Sequence, residues 1–205
     1  EIRFVMTNRQ EKAGLAYQTN GVCYYMPHAI DSLPGAGTLV VDTDLSDYTG
    51  GIRVDEGTWK GSLPAHFGPD NGEIRVTDTG AALEVSATTT KSFNFAKRKL
   101  FLKGTGVNER GALVNASTSA AQTGGEWGVV SGAITLEGDT LIRSESANQS
   151  NLPWSFNLDM NGYDLTLSSA GTCSWESGSD IANPGTVVLA GSGTWQWIDS
   201  SLVNL

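Results

Sequence analysis

A parallel β-solenoid is the all-β fold that this sequence predicts. Three observations point to it. Apolar residues come in pairs two positions apart, the pairs recur at a near-constant longer spacing, and glycine-rich turns separate them. The pairs are Ile52/Val54, Ile74/Val76, Ile134/Leu136, Phe156/Leu158 and Val187/Leu189. Strand side chains alternate between faces, so each pair reads as the inner face of one short strand. A second pair follows within the same unit: Leu83/Val85 after Ile74, Leu165/Leu167 after Phe156 and Trp195/Trp197 after Val187, with Leu141 placed likewise after Ile134.

The longer spacing identifies the coil. Ile52 to Ile74, Ile134 to Phe156 and Leu165 to Val187 are each 22 residues, and Leu113 to Ile134 is 21. Ile74 to Leu100 is 26, as one loop insertion would make it. A repeat of this length holding two or more short strands suits a solenoid. Each coil leaves its backbone groups unpaired until the next stacks about 4.8 Å away, and the inward residues form one apolar column.

Turn chemistry agrees. Gly50-Gly51, Glu56-Gly57, Asn71-Gly72, Thr79-Gly80, Glu137-Gly138, Asn161-Gly162 and Gly191-Ser192-Gly193 all fall between apolar pairs. Gly and Asn accept the positive φ of sharp corners. An antiparallel sandwich uses the same alphabet, but the constant offset favours stacked coils. A helical bundle is excluded: the nearest helical pattern, Arg9 to Tyr17, is short and interrupted by Gly14.

One stretch is more specific. Residues 35–61 read GAGTLVVDTDLSDYTGGIRVDEGTWKG. Gly37-Thr38-Leu39, Tyr48-Thr49-Gly50-Gly51 and Gly57-Thr58-Trp59 follow one another as in the autotransporter-associated β-strand repeat of bacterial surface proteins, which this segment resembles. Trp59 stands where that pattern has Leu. Residues 183–195, NPGTVVLAGSGTW, echo it, and Gly132–Leu136 with Gly138–Leu141 echo it more weakly. The resemblance implies a right-handed, single-stranded parallel β-helix on a cell surface or in a secreted protein, and no reaction. Residues 35–205 are expected to form one continuous repeat domain. Residues 1–34 fit poorly and are expected to form an atypical N-terminal cap, since an open end would expose core and strand edges.

On this reading Cys23 and Cys173 lie about seven coils apart, on the order of 30 Å. A disulfide needs Cα atoms within about 7 Å, so two thiols are expected. Two thiols also fall short of a structural zinc site.

Charge narrows the partners. The net charge of −9 argues against nucleic acid, which needs clustered Lys and Arg. The basic cluster Lys97-Arg98-Lys99 reads as a solvated strand end. No apolar run reaches the length of a membrane span. The sequence starts at Glu1 without a signal peptide, as expected of a mature chain or a piece of a longer protein.

Candidate chemistry is sparse. His28 and His66 form no ligand pair. Asp42, Asp44 and Asp47 offer oxygen ligands in one turn, as Ca²⁺ prefers, but without the EF-hand Gly and Glu, so no cofactor is expected and Ca²⁺ is the one candidate. For polysaccharide cleavage the carboxylates are Asp42, Asp44, Asp55 and Glu56, since hydrolysis needs a pair at fixed separation and elimination a base beside a cation. For glycan binding, Trp175 in a polar stretch and Trp127 after Gly-Gly-Glu are the aromatic candidates, because sugar rings stack on indole faces. Trp195 and Trp197 share one strand face, expected to be inward. No nucleophile elbow or phosphate loop occurs. The expectation is a non-catalytic extracellular or cell-surface module: a stalk, adhesin or segment binding a polysaccharide or host glycan. The alternatives are a polysaccharide lyase or glycoside hydrolase, and a trimeric viral tail-fibre segment.

Overall fold

The computed structural model describes residues 16–17, 23–24, 37–48, 50–86, 95, 98–117, 130–145, 152–175 and 181–197. They form a β-solenoid of about 5 turns, with coils of about 24 residues and no α-helix among them. Strands β1 (Ala16–Tyr17) and β2 (Cys23–Tyr24) make a separate antiparallel pair. The solenoid strands are β3 (Thr38–Val41), β4 (Ile52–Val54), β5 (Gly57–Gly61), β6 (Glu73–Val76), β7 (Ala81–Val85), β8 (Lys99–Gly104) and β9 (Leu113–Asn115). They continue with β10 (Val130–Ser144), β11 (Leu152–Asp159), β12 (Leu165–Ser169), β13 (Thr172–Trp175), β14 (Ile181–Ala182), β15 (Val187–Gly191) and β16 (Thr194–Trp197). Every described pairing among β3–β16 is parallel, which excludes the hairpin sandwich.

Three faces result. The first aligns Ile52, Ile74, Leu100, Ile134, Leu158 and Ile181, in steps of 22, 26, 34, 24 and 23 residues. The second aligns Leu39, Trp59, Leu83, Leu113, Ile142, Leu167 and Leu189, in steps of 20, 24, 30, 29, 25 and 22. The third aligns Leu152, Cys173 and Trp195. Inward residues of the first two columns are almost fully buried until the last coil. Burying each such side chain contributes roughly 1.5–3 kcal/mol.

Three sequence-derived registers need correction. Leu113 aligns with Ile142, not Ile134, because β10 runs unbroken from the first face to the second and Ile134 belongs with Leu100. Ile134 aligns with Leu158 rather than Phe156; the β10–β11 ladder is irregular between Val130 and Ala133. Leu141 is half-buried and Ile142 is the core residue, since the register against β8 shifts between Leu136 and Thr140.

Of the corners expected to use left-handed backbone, Gly57 (φ 84°), Asn161-Gly162 (51° and 80°) and Gly191 (90°) do so, whereas Gly50, Gly51, Gly72, Gly80, Gly138 and Gly193 do not. Two 3₁₀ turns, η1 (Pro64–Phe67) and η2 (Val107–Glu109), occupy longer connections. Cys173 is a buried thiol whose Sγ lies 2.9 Å from Ser169 Oγ.

Arg98 is not a solvated strand end. It is 1% exposed and donates to the carbonyls of Phe67 (3.1 Å), Phe95 (3.2 Å) and Gly68. Asp70 Oδ1 lies 3.2 Å from its Nη2. Burial pushes its basicity down while Asp70 pulls it up. A guanidinium carries five fixed donors, enough to bond three carbonyls at once. Phe67 and Phe95 meet edge to face beside it, 5.3 Å between centroids.

Candidate functional site

Alternation turns Lys60, Glu84, Val114 and Arg143 to the outer side of the second face, in one register. This is where described carboxylates and cations gather most closely. β7 is buried at every position, so the Glu84 side chain is only 6% exposed despite facing outward. Lys60 Nζ donates to its Oε1 at 2.5 Å and Arg110 Nη1 to its Oε2 at 3.1 Å. Arg110 also grips Glu145 with both ends of its fork, Nε to Oε1 at 2.9 Å and Nη2 to Oε2 at 2.6 Å. Arg143 Nε stands 3.8 Å from Glu145 Oε1. Arg110 arrives through the tight connection after β8, where Asn108 and Glu109 both take positive φ.

The electrostatics follow. The bond from Arg110 holds the Glu145 carboxyl below the usual carboxylate range, against the opposing effect of burial. Glu145 raises Arg110 in return. Both Glu84 oxygens and both Glu145 oxygens accept charge-assisted hydrogen bonds, the strong class. Held low in this way, the Glu145 carboxylate is a weak base and a poor proton donor at neutral pH.

The first face is tied in the same way. Arg75 Nη2 donates to Glu73 at 2.7 Å and Nη1 to Glu137, and its guanidinium lies 4.0 Å from the Phe101 ring centre. Arg53 Nε donates to Asp55 at 2.6 Å, and Thr77 Oγ1 donates to the same oxygen from the next coil. Burial raises Asp55, but the bonds from Thr77 and Arg53 outweigh it and leave it lowered. At the corner between these faces, Asp139 accepts from Asp164 N (3.0 Å), and Asp164 from Thr186 N (2.8 Å).

The candidates named from sequence are placed as follows. Asp42, Asp44 and Asp47 are exposed in the turn after β3. Asp44 accepts from Ser46 N at 2.8 Å, and Ser46 holds its carboxyl low. The turn is anchored by buried Leu45, whose N–H donates to Ala65 O at 2.9 Å. Among the described residues no three His, Cys, Asp or Glu side chains are grouped to hold a metal ion. Asp55 and Glu56 sit at the β4–β5 corner, with Asp55 half-buried and Glu56 exposed. His66 is buried: its Nδ1 accepts from Ser62 N at 3.2 Å, while its carbonyl accepts from Trp59 Nε1 at 3.1 Å. Burial lowers its basicity, and the charges of Asp42 and Asp44 partly oppose that.

Trp127 lies outside the described residues. Trp175 is in β13, where the backbone register aligns it with Trp154 and Trp197; its side chain lies outside the described part. Trp195 is partly buried against the core, as expected of the inward face. Trp59 is 1% exposed and belongs to the core. Tyr163, at a corner and 38% exposed, is the open aromatic that sequence reading missed.

No protein-family model matches the chain, and no curated protein or solved structure matches it either.

Proposed function

We propose that this chain is a non-catalytic β-solenoid module of a bacterial cell-surface or secreted protein, serving as a stalk, adhesin or glycan-binding segment. The supporting observation is how the outer faces spend their charge. Glu84, Glu145, Glu73, Glu137 and Asp55 are all bonded to Lys60, Arg110, Arg75, Arg53 or Thr77. Most of these bonds cross between coils, so they staple the stack instead of presenting an unengaged acid and base. The likeness of residues 35–61 to autotransporter-associated repeats supports the same reading.

The enzyme reading rests on one place. Glu84 and Glu145 converge with Lys60, Arg110 and Arg143, the residue types that a lyase or hydrolase uses. Incubation with neutral and acidic polysaccharides, with and without Ca²⁺, separates the readings. Retention in affinity gels without new chain ends is the expected outcome for a glycan-binding segment, and Trp175→Ala, Trp127→Ala and Tyr163→Ala then locate the contact. Neither retention nor cleavage leaves the stalk. Release of new chain ends, abolished by Glu84→Gln or Glu145→Gln, would overturn the non-catalytic reading.

A further inference from the structure

The outer side of β8 departs from the way the faces spend their charge. Among the described residues, Arg53, Lys60, Arg75, Arg98, Arg110 and Arg143 each have a carboxylate oxygen within 3.8 Å. Lys99 and Lys103 are the two described cations that have none, and both are exposed. Alternation along β8 sets them on the outer side with half-buried Phe101 between them, while Leu100 and Leu102 turn inward. Four residues of strand put the two lysine backbones about 13 Å apart, with the ring midway.

The coils on either side keep this arrangement open. Glu73 is the register partner of Lys99, yet Arg75 bonds both Glu73 and Glu137. The same guanidinium lies 4.0 Å from the centre of the Phe101 ring and covers the face turned to its own coil. On the following coil Ala133 stands beside Lys99 and Thr135 beside Phe101, small residues that leave the other face of the ring room. Lys103 lies along Gly138, where an added Cβ would stand 2.7 Å from its Cγ. Sugar rings lay their C–H faces on aromatic rings, and a uronic acid carries its carboxylate on the ring itself, one charge per sugar. Duplex nucleic acid carries one charge per about 1.7 Å, and a chain of net charge −9 repels so dense a polyanion more strongly. An acidic peptide brings the charge without the ring.

We propose that the outer side of β8 binds a uronic-acid polysaccharide, with one sugar stacked on Phe101 and carboxylates of the same chain paired with Lys99 and Lys103. This rests on the glycan-binding reading above and names the class of glycan. Titration calorimetry of the 205-residue chain with oligogalacturonate and alginate oligomers, at about 20 mM salt, is expected to give a dissociation constant of about 0.1–1 mM for at least one of them. Binding is expected to weaken as salt screens the lysines. Lys99→Gln/Lys103→Gln and Phe101→Leu are each expected to weaken it at least about tenfold. The lysine variant changes only exposed side chains, so its dichroism and melting curve should match the parent's, and it carries the test if Phe101→Leu is unstable. Neither oligouronate binding, or the lysine variant binding as tightly as the parent, would overturn the site. Oligoglutamate bound as tightly as the oligouronates would also overturn it, because charge alone would then suffice. Retention of a neutral polysaccharide in either case would leave the broader glycan-binding reading standing, whereas retention of no polysaccharide would remove both.

Discussion

Replacing Arg98 by Met tests the loop anchor most sharply. The substitution keeps a long apolar stem and removes every donor. Three backbone carbonyls, of Phe67, Gly68 and Phe95, lose their guanidinium partner in a place where the side chain is 1% exposed. The Phe95 carbonyl keeps the backbone N–H of residue 98 at 3.0 Å; an unsatisfied buried acceptor costs about 1–3 kcal/mol, so the other two set an upper range of roughly 2–6 kcal/mol. Two effects reduce it. Water can reach one side, since Asp70 is 75% exposed, and the variant no longer carries the desolvation cost of a buried cation. The expected net loss is about 3 kcal/mol, a fall in melting temperature of about 6–12 °C for a domain of this size. Urea unfolding followed by dichroism reads the free energy directly. Arg98→Lys is expected to lose about half as much, because an ammonium reaches fewer of the three acceptors. A loss under about 0.5 kcal/mol for Arg98→Met, within the range of ordinary surface substitutions, would refute the anchoring role.

Two further outcomes follow from the charged groups. Stability is expected to fall in two stages on acidification. His66 has its folded pKa depressed by burial, so the unfolded chain binds more protons below about 6.5 and stability declines from there downward. Glu145 and Asp55 have depressed folded values, so their contribution is present above about 4 and is lost as pH falls through those values. Melting temperature against pH should lose its upper stage in His66→Asn, whose amide oxygen can accept from Ser62 N; an unchanged profile would count against the buried neutral imidazole. Glu84→Gln is expected to cost about 1–3 kcal/mol, less than a fully buried pair because Lys60 and Arg110 are 33% and 40% exposed and can rehydrate. A Lys60/Glu84 double-mutant cycle with no coupling energy would remove the claim that this pair joins successive coils.

Much of the fold was legible because its core obeys a period-two rule inside a coil and a near-constant step between coils. Ile52–Ile74, Ile74–Leu100 and Leu165–Val187 are true neighbours. The reading slipped where the step stretched. Leu100 to Ile134 is 34 residues, and over such a gap the nearest spacing of about 22 joins the wrong faces, as it did for Leu113 and Ile134. Continuous β10 hid the corner between two faces, because no Gly-rich break marks it beyond Glu137-Gly138.

The candidate site was far less legible. Glu84 meets Arg110 across 26 residues, and Arg110 meets Glu145 across 35. Neither spacing is the repeat, since Arg110 sits in an insertion whose left-handed Asn108 and Glu109 direct it back to the sheet. Arg98 was misread for a related reason: a run of three basic residues looks solvated until the loop carbonyls around it are known. Asp42, Asp44, Asp55 and Glu56 were chosen for type and proximity in sequence, and the turn and corner that hold them give Asp44 and Asp55 structural hydrogen bonds.

Parallel, in-register stacking underlies each of these statements, and a designed cross-link tests it most directly. Ser168 and Ala190 occupy the same register on β12 and β15, both on the outer side of the second face. Paired strand neighbours stand about 4.7–4.9 Å apart, within disulfide reach. Mild oxidation of the Ser168→Cys/Ala190→Cys variant, followed by peptide mapping, should join the two introduced thiols in high yield. Ser168→Cys/Thr186→Cys should not cross-link, because Thr186 lies four positions before Ala190, a displacement of about 13 Å along the strand. Efficient bonding of the off-register pair, or none in the aligned pair of a folded protein, would contradict the stacking on which the account rests.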